Sequence, residues 1–92
     1  MSTESSTGTI SVEIHYFAAA AEAAGRTEER LDVAEGTTLA ALREELAGRG
    51  LAMAKVIGVS SYLVNSMSTP PDSLTPLADG TRVDVLPPFA GG

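Results

Sequence analysis

Apolar and polar positions alternate at the start of the chain. Ile10, Val12, Ile14 and Tyr16 interleave with Ser11, Glu13 and His15. A period of two with β-branched residues on one side predicts a half-buried strand, with His15 on its polar, solvated side. Phe17 to Ala24 is almost all alanine and stops at Gly25. Alanine is the strongest helix former and glycine the usual residue after a last turn, so a short helix is expected. Thr27 to Ala34 sets Leu31 and Val33 among charges. It reads as a second strand, at an edge or in a hairpin with the first, and its charges discourage stray edge pairing. The acidic side chains Glu28, Glu29, Asp32 and Glu35 are expected on a solvated face.

Leu39, Leu42 and Leu46 follow the i, i+3, i+7 spacing of an amphipathic helix. Thr37 or Thr38 can cap it, and Gly48 and Gly50 end it. The stretch Lys55 to Asn65 carries Val56, Ile57, Val59, Tyr62, Leu63 and Val64 and holds a third strand. Asn65 is expected to complete a turn by bonding backbone. Pro70-Pro71 marks a loop, and Leu74 and Leu77 belong to a short turn or 3₁₀ piece. Asp79-Gly80 is a turn signal, and Arg82 to Leu86 alternates again as a last strand.

This order predicts an α+β domain: a mixed sheet of four to five strands with one main helix packed on one face. The expected core is Ile10 or Val12, Ile14, Leu31, Val33, Leu39, Leu42, Leu46, Leu63, Leu77, Val83 and Val85. Residues 1–9 are Ser, Thr, Glu and Gly after the Met and read as a flexible tail. Residues 10–86 form the domain, and residues 87–92 an extended C-terminal tail.

Composition narrows the chemistry. A chain of 92 residues holds one domain. It has no cysteine, which removes disulfides, thiolate metal sites and thiol catalysis. A single histidine, His15, rules out a multi-histidine metal site. Ser60-Ser61 has no histidine near it in sequence, so no triad is expected and no metal is assigned. Twelve acidic against six basic residues leave a net charge of −6, which disfavours nucleic-acid binding and suits solubility or a basic protein partner. No stretch approaches the roughly 20 apolar residues of a membrane span, and no export signal is visible, so a cytoplasmic location is expected. Lys55, the one lysine, reads as a surface charge.

The informative feature is Leu86-Pro87-Pro88-Phe89-Ala90-Gly91-Gly92. Two prolines stiffen the departure from the last strand. Six extended residues reach about 20 Å. Glycines without a Cβ can enter a narrow channel and present an α-carboxylate to another protein's active site. The same residues would equally suit a frayed terminus or a cloning remnant.

Three segments carry a resemblance to a known family. They are Val12-Glu13-Ile14-His15-Tyr16-Phe17-Ala18 with Gly25 following, Tyr62-Leu63-Val64-Asn65, and the run from Leu77 to Gly92. The last is the most specific: it is similar to a Leu-x-Asp-Gly-Asp-x-Val-x-x-x-Pro-Pro-x-x-Gly-Gly signature, with Thr81 where an acidic residue is common. The chain from Ile10 onward resembles the small subunits of molybdopterin synthase, ubiquitin-like sulfur carriers of the β-grasp fold. The resemblance implies that an adenylating enzyme of the ubiquitin-activator type uses ATP on the carboxylate of Gly92, with no cofactor bound by the carrier itself. A sulfur donor protein then makes a thiocarboxylate, which the large synthase subunit uses on cyclic pyranopterin monophosphate. Gly92 would be the reacting residue with Gly91 beside it, and Phe89, Leu86, Pro87, Pro88 and Ala90 would meet the partner. Without a cysteine, sulfur could ride only on that main-chain carboxylate.

Phe89 could instead fold back onto the sheet. Other readings are a carrier for thiamin, cysteine or tRNA thiolation, a ubiquitin-like modifier joined to lysines through Gly92, or a non-covalent adaptor whose tail is incidental. The short helix between Phe17 and Gly25 argues against the thiamin carrier, which resembles a more compact β-grasp. Stand-alone catalysis is not expected, since nucleophiles and bases are few.

Overall fold

A computed structural model describes residues 8–88. Its elements are β1 (Thr9–Tyr16), α1 (Ala19–Ala24), β2 (Glu28–Ala34), α2 (Leu39–Ala47), α3 (Leu51–Val59), β3 (Ser61–Val64), β4 (Met67–Thr69) and β5 (Thr81–Leu86). The strands form one mixed sheet in the order β2-β1-β5-β3-β4. β1 runs antiparallel to β2 and parallel to β5, while β5 is antiparallel to β3. The mixed α+β class of the sequence reading holds, with five strands.

The period-two pattern of β1 is realised residue for residue. Val12, Ile14 and Tyr16 are buried on the helix-covered face, and Ser11, Glu13 and His15 lie half-buried on the other. α2 lays Leu39, Leu42 and Leu46 onto the sheet, each 0–1% exposed. Thr38 caps it, its hydroxyl accepting from the Ala41 N–H at 3.1 Å. Burying one such leucine fully is worth about 1.5–3 kcal/mol. α1 ends as the sequence implies, at Gly25 with φ 75°, a left-handed conformation that only glycine adopts without strain.

The helical layer holds a second nine-residue helix that the pattern reading passed over. α3 buries Met53, Val56 and Ile57, an i, i+3, i+4 set. Its valines and isoleucine favour strands by propensity, and tertiary packing overrides that preference. The third strand therefore occupies only Ser61–Val64, the end of the stretch read for it. There Tyr62 faces the core and Leu63 is only half-buried, so Tyr62 takes the place expected for Leu63. Leu31 is likewise only partly buried at the β2 edge.

β4 is the other unforeseen element. Asn65 and Ser66 both have positive φ, 50° and 70°, and join paired Val64 and Met67 as a two-residue hairpin. Asn65 explains itself: its N–H donates to the Arg82 carbonyl at 2.8 Å, and its Oδ1 accepts from the Arg82 N–H at 2.9 Å. The turn is thereby fastened to β5. Asp79-Gly80 is also a turn, with Asp79 Oδ1 accepting from the Ser11 N–H at 2.7 Å. Leu77 is buried after the Thr38–Pro76 bridge, whereas Leu74 is exposed.

Candidate functional site: the exit of the C-terminal segment

β5 sits in the middle of the sheet, between a parallel and an antiparallel neighbour. The Phe17 N–H donates to the Val85 carbonyl at 3.2 Å beyond the last β1–β5 pair. Leu86 opposes Ser61 on the other side. Pro87 and Pro88 have no N–H, so the ladder cannot continue past Leu86. The chain leaves the sheet there, with Leu86 half-buried, Pro87 buried and Pro88 exposed. Phe89, Ala90, Gly91 and Gly92, named from the sequence as site residues, lie outside the described residues.

Beside this exit lies a groove of about 460 Å³ between α1 and α3, with Pro87 and Pro88 in its wall. Ala19 and Ala23 of α1 face Ala52, Val56 and Val59 of α3 across it. The small alanine side chains leave the space open. Val59 is 63% exposed, a large apolar residue without cover, and Phe17 at the end of β1 is 40% exposed. The polar side chains lining the groove are Glu22 and Lys55. Neither forms an ion pair among the described residues. Sequence reasoning passed over this groove because it passed over α3; the 53/56/57 spacing was the available signal.

Two charged clusters surround the strands that hold the exit in place. On the open face of the sheet, His15 lies between Glu13 at 3.4 Å and Glu28 at 3.5 Å. Its side chain is 18% exposed, so it is a half-buried member of a charged row and not the solvated residue expected. His15 and Arg30 hold the Glu13 carboxyl below its ordinary range. Arg82 donates to Asp84 at 2.7 Å on the same face.

The second cluster corrects the solvated reading of Glu29, whose side chain is 7% exposed. Register explains it: Glu29 shares its face with Leu31 and Val33, opposite Ile14. Arg49 donates to its two oxygens at 2.6 and 3.4 Å, Tyr16 donates from its hydroxyl, and Arg26 lies at 3.6 Å. Burial pushes the Glu29 pKa up, but these donors outweigh it and the net direction is down. Burial, followed by the Glu29 hydrogen bond, raises the Tyr16 pKa.

Among the described residues no group of three or more His, Asp or Glu side chains could hold a metal ion. Ser60 is buried and its hydroxyl donates to the Val56 carbonyl at 2.6 Å. Among the described residues no helix is long and apolar enough to cross a membrane.

The matches to known proteins span most of the chain. The model of the ThiS family matches residues 14–92. The molybdopterin synthase sulfur carrier subunit of Chlamydomonas reinhardtii is 26% identical over 81 residues, covering 88% of this chain and 98% of the relative. The crystal structure of SAMP1 from Haloferax volcanii matches with a TM-score of 0.74 at 27% identity, covering 89% of this chain and 99% of that one. A complex of subunits 1 and 2 of the molybdopterin-converting factor from Helicobacter pylori contains a chain matching with a TM-score of 0.64 at 25% identity, covering 90% and 100%. A Caldiarchaeum subterraneum ubiquitin, at 20% identity and a TM-score of 0.60, shares the ubiquitin-like β-grasp fold.

Proposed function

This chain belongs to the ThiS family, and from that premise we propose that it is a sulfur carrier for molybdopterin synthesis, working through Gly92. The observation that carries the reading is the family match running to residue 92, across a Pro-Pro-Phe-Ala-Gly-Gly segment that leaves the central strand of the sheet.

The chemistry asks little of the carrier. A free carboxylate is a poor electrophile, so an adenylating enzyme joins it to AMP from ATP and releases pyrophosphate. Sulfur delivered at the sulfide level by a donor protein attacks the acyl carbon, displaces AMP and leaves a thiocarboxylate. In the large synthase subunit the thiocarboxylate sulfur bonds to cyclic pyranopterin monophosphate, and water hydrolyses the acyl–sulfur bond, leaving sulfur on the pterin and restoring the carboxylate. Bases and nucleophiles come from the partners. The carrier supplies a stiff exit and a slim end: Pro87 and Pro88 stiffen the backbone where it leaves the sheet, and Gly91 and Gly92 offer no Cβ to a narrow channel. Leu86, Phe89 and Ala90 flank that end and meet the partner. The Helicobacter pylori complex of two subunits supports a large-subunit partner of this kind.

Incubation with ATP, an adenylating enzyme of this type and a sulfur donor is expected to replace one oxygen by sulfur at Gly92, read by intact-protein mass. An unchanged mass with active partners would overturn the carrier reading. A second reading, a protein modifier, is favoured by the likeness to SAMP1. Isopeptide products joining Gly92 to lysines of other proteins, with no thiocarboxylate formed, would select it.

A further inference from the structure

The two edges of the sheet are finished differently. β4 has three residues and runs into Pro70-Pro71, which blunts that edge. β2 has seven residues and no proline, and its outer side is open. Its ladder to β1 decides which backbone groups it exposes. The Tyr16 N–H donates to the Thr27 carbonyl at 2.8 Å, and the Glu35 N–H to the Gly8 carbonyl at 3.0 Å. Bonded pairs alternate in an antiparallel ladder, so the odd-numbered residues of β2 bond β1. The even-numbered ones, Glu28, Arg30, Asp32 and Ala34, turn their N–H and C=O groups away from the sheet. The Ala34 carbonyl is taken by the Thr37 N–H and hydroxyl. The backbone groups of Glu28, Arg30 and Asp32 have no such partner among the described residues.

We propose that this edge pairs with the β2 edge of a second copy of the chain, antiparallel, about a twofold axis passing through Leu31. The two sheets then become one, with the helices of both copies on the same face.

Charge selects both the occupant and the register. With the axis at Leu31, Arg30 lies opposite Asp32 of the second copy, and Asp32 opposite its Arg30. Asp32 has no ion pair among the described residues. The Arg30 side chain is 69% exposed, although it reaches Glu13 at 3.3 Å. Leu31, only partly buried at the free edge, meets its own copy and is covered. An axis at Arg30 or Asp32 sets like charges face to face, and an axis at Glu29 opposes two buried carboxylates. An axis at Val33 forms no charge pair. The charges that discourage stray pairing thus admit one register, and a strand that is its own complement points to a copy of itself.

Pairing leaves the exit of the C-terminal segment uncovered. β5 lies two strands in from the joined edge, and the twofold turns the two Leu86–Pro88 exits toward opposite ends of the joint sheet. The dimer displays both at once. One strand pair buries little area, so the dimer is weak and forms where the chain is concentrated.

The test is sedimentation equilibrium of the full chain from about 0.01 to 1 mM, spanning the dissociation constant of about 0.1 mM expected for so small an interface. The mass should rise from monomer toward dimer. Amide hydrogen exchange locates the contact: the Arg30 and Asp32 N–H groups should slow about fivefold at the higher concentration, while those of Leu31 and Val33, already bonded to β1, stay as they are. Arg30→Asp or Asp32→Arg alone should weaken the dimer about tenfold, since each sets like charges opposite one another. Both substitutions in one chain should restore it, and so should an equimolar mixture of the two single variants. An unchanged circular dichroism spectrum separates lost pairing from lost folding in these surface variants. A chain that stays monomeric to about 1 mM would overturn the proposal and leave the edge to an extended segment of another protein. A dimer indifferent to Arg30→Asp, or one that the double reversal fails to restore, would overturn it too.

Discussion

Glu29 and Lys55 are met by the fold in contrary ways. Glu29 lies at the inner face of an edge strand and is held by Arg49, Tyr16 and Arg26. Those contacts close the seam between β1, β2 and the turn joining α2 to α3. Lys55 lies beside the seam between α1 and α3, where the walls are alanine and an exposed valine and the space stays open. Closure under α2 comes from large leucines, and openness between α1 and α3 from small residues. The same helical layer is thus a closed core on one side and an open groove on the other.

Mutations can break this contrast or sharpen it. Leu42→Ala, under α2, should destabilise the domain by about 3 kcal/mol, measured by urea unfolding. A loss below about 1 kcal/mol would mean that this side is not close-packed. Glu29→Gln keeps the shape but removes the charge from its donors, at a cost of about 2 kcal/mol. It should also alter the acid limb. The Glu29 pKa is lowered in the folded state, so its contribution is present above the ordinary carboxylate value of 4.5 and fades as pH falls through the lower folded value. The parent chain should therefore lose melting temperature below about pH 4.5 more steeply than Glu29→Gln. Parallel curves would show that the seam is not charge-locked. The smallest effect belongs to the open side. Val59→Asp should shift unfolding by no more than about 0.5 kcal/mol, and a larger loss would reveal a core role for that valine.

Much of this was legible in the sequence because single-period signals carry it. The β1 alternation, the leucine stripe of α2, the Thr38 cap and the glycine after α1 each reflect one local rule and reappear in the structure. What was hidden depended on two rules in conflict or on partners distant in sequence. α3 has helical spacing but strand-forming residues, and the spacing prevails because Met53, Val56 and Ile57 pack on the sheet. Glu29 has a charge suited to solvent but the register of Leu31 and Val33, and register prevails because arginines arrive from residues 26 and 49. The site was legible only as a terminal motif. The groove beside it needs two helices, residues 19–24 and 51–59, brought together by the fold.

The position of β5 has a consequence for synthesis. β1 with β2 and β3 with β4 are each local antiparallel pairs, and the two pairs touch only through β5. Until Thr81–Leu86 has been made, the sheet lacks its middle. The two hairpins can form early, but neither can close the core before Thr81–Leu86 has emerged from the exit tunnel. A chain cut short before that point is left as two unjoined halves with their apolar faces bare, the kind of species that aggregates. The topology therefore acts as a completeness check: a chain that has folded has already translated the strand leading to its terminal segment.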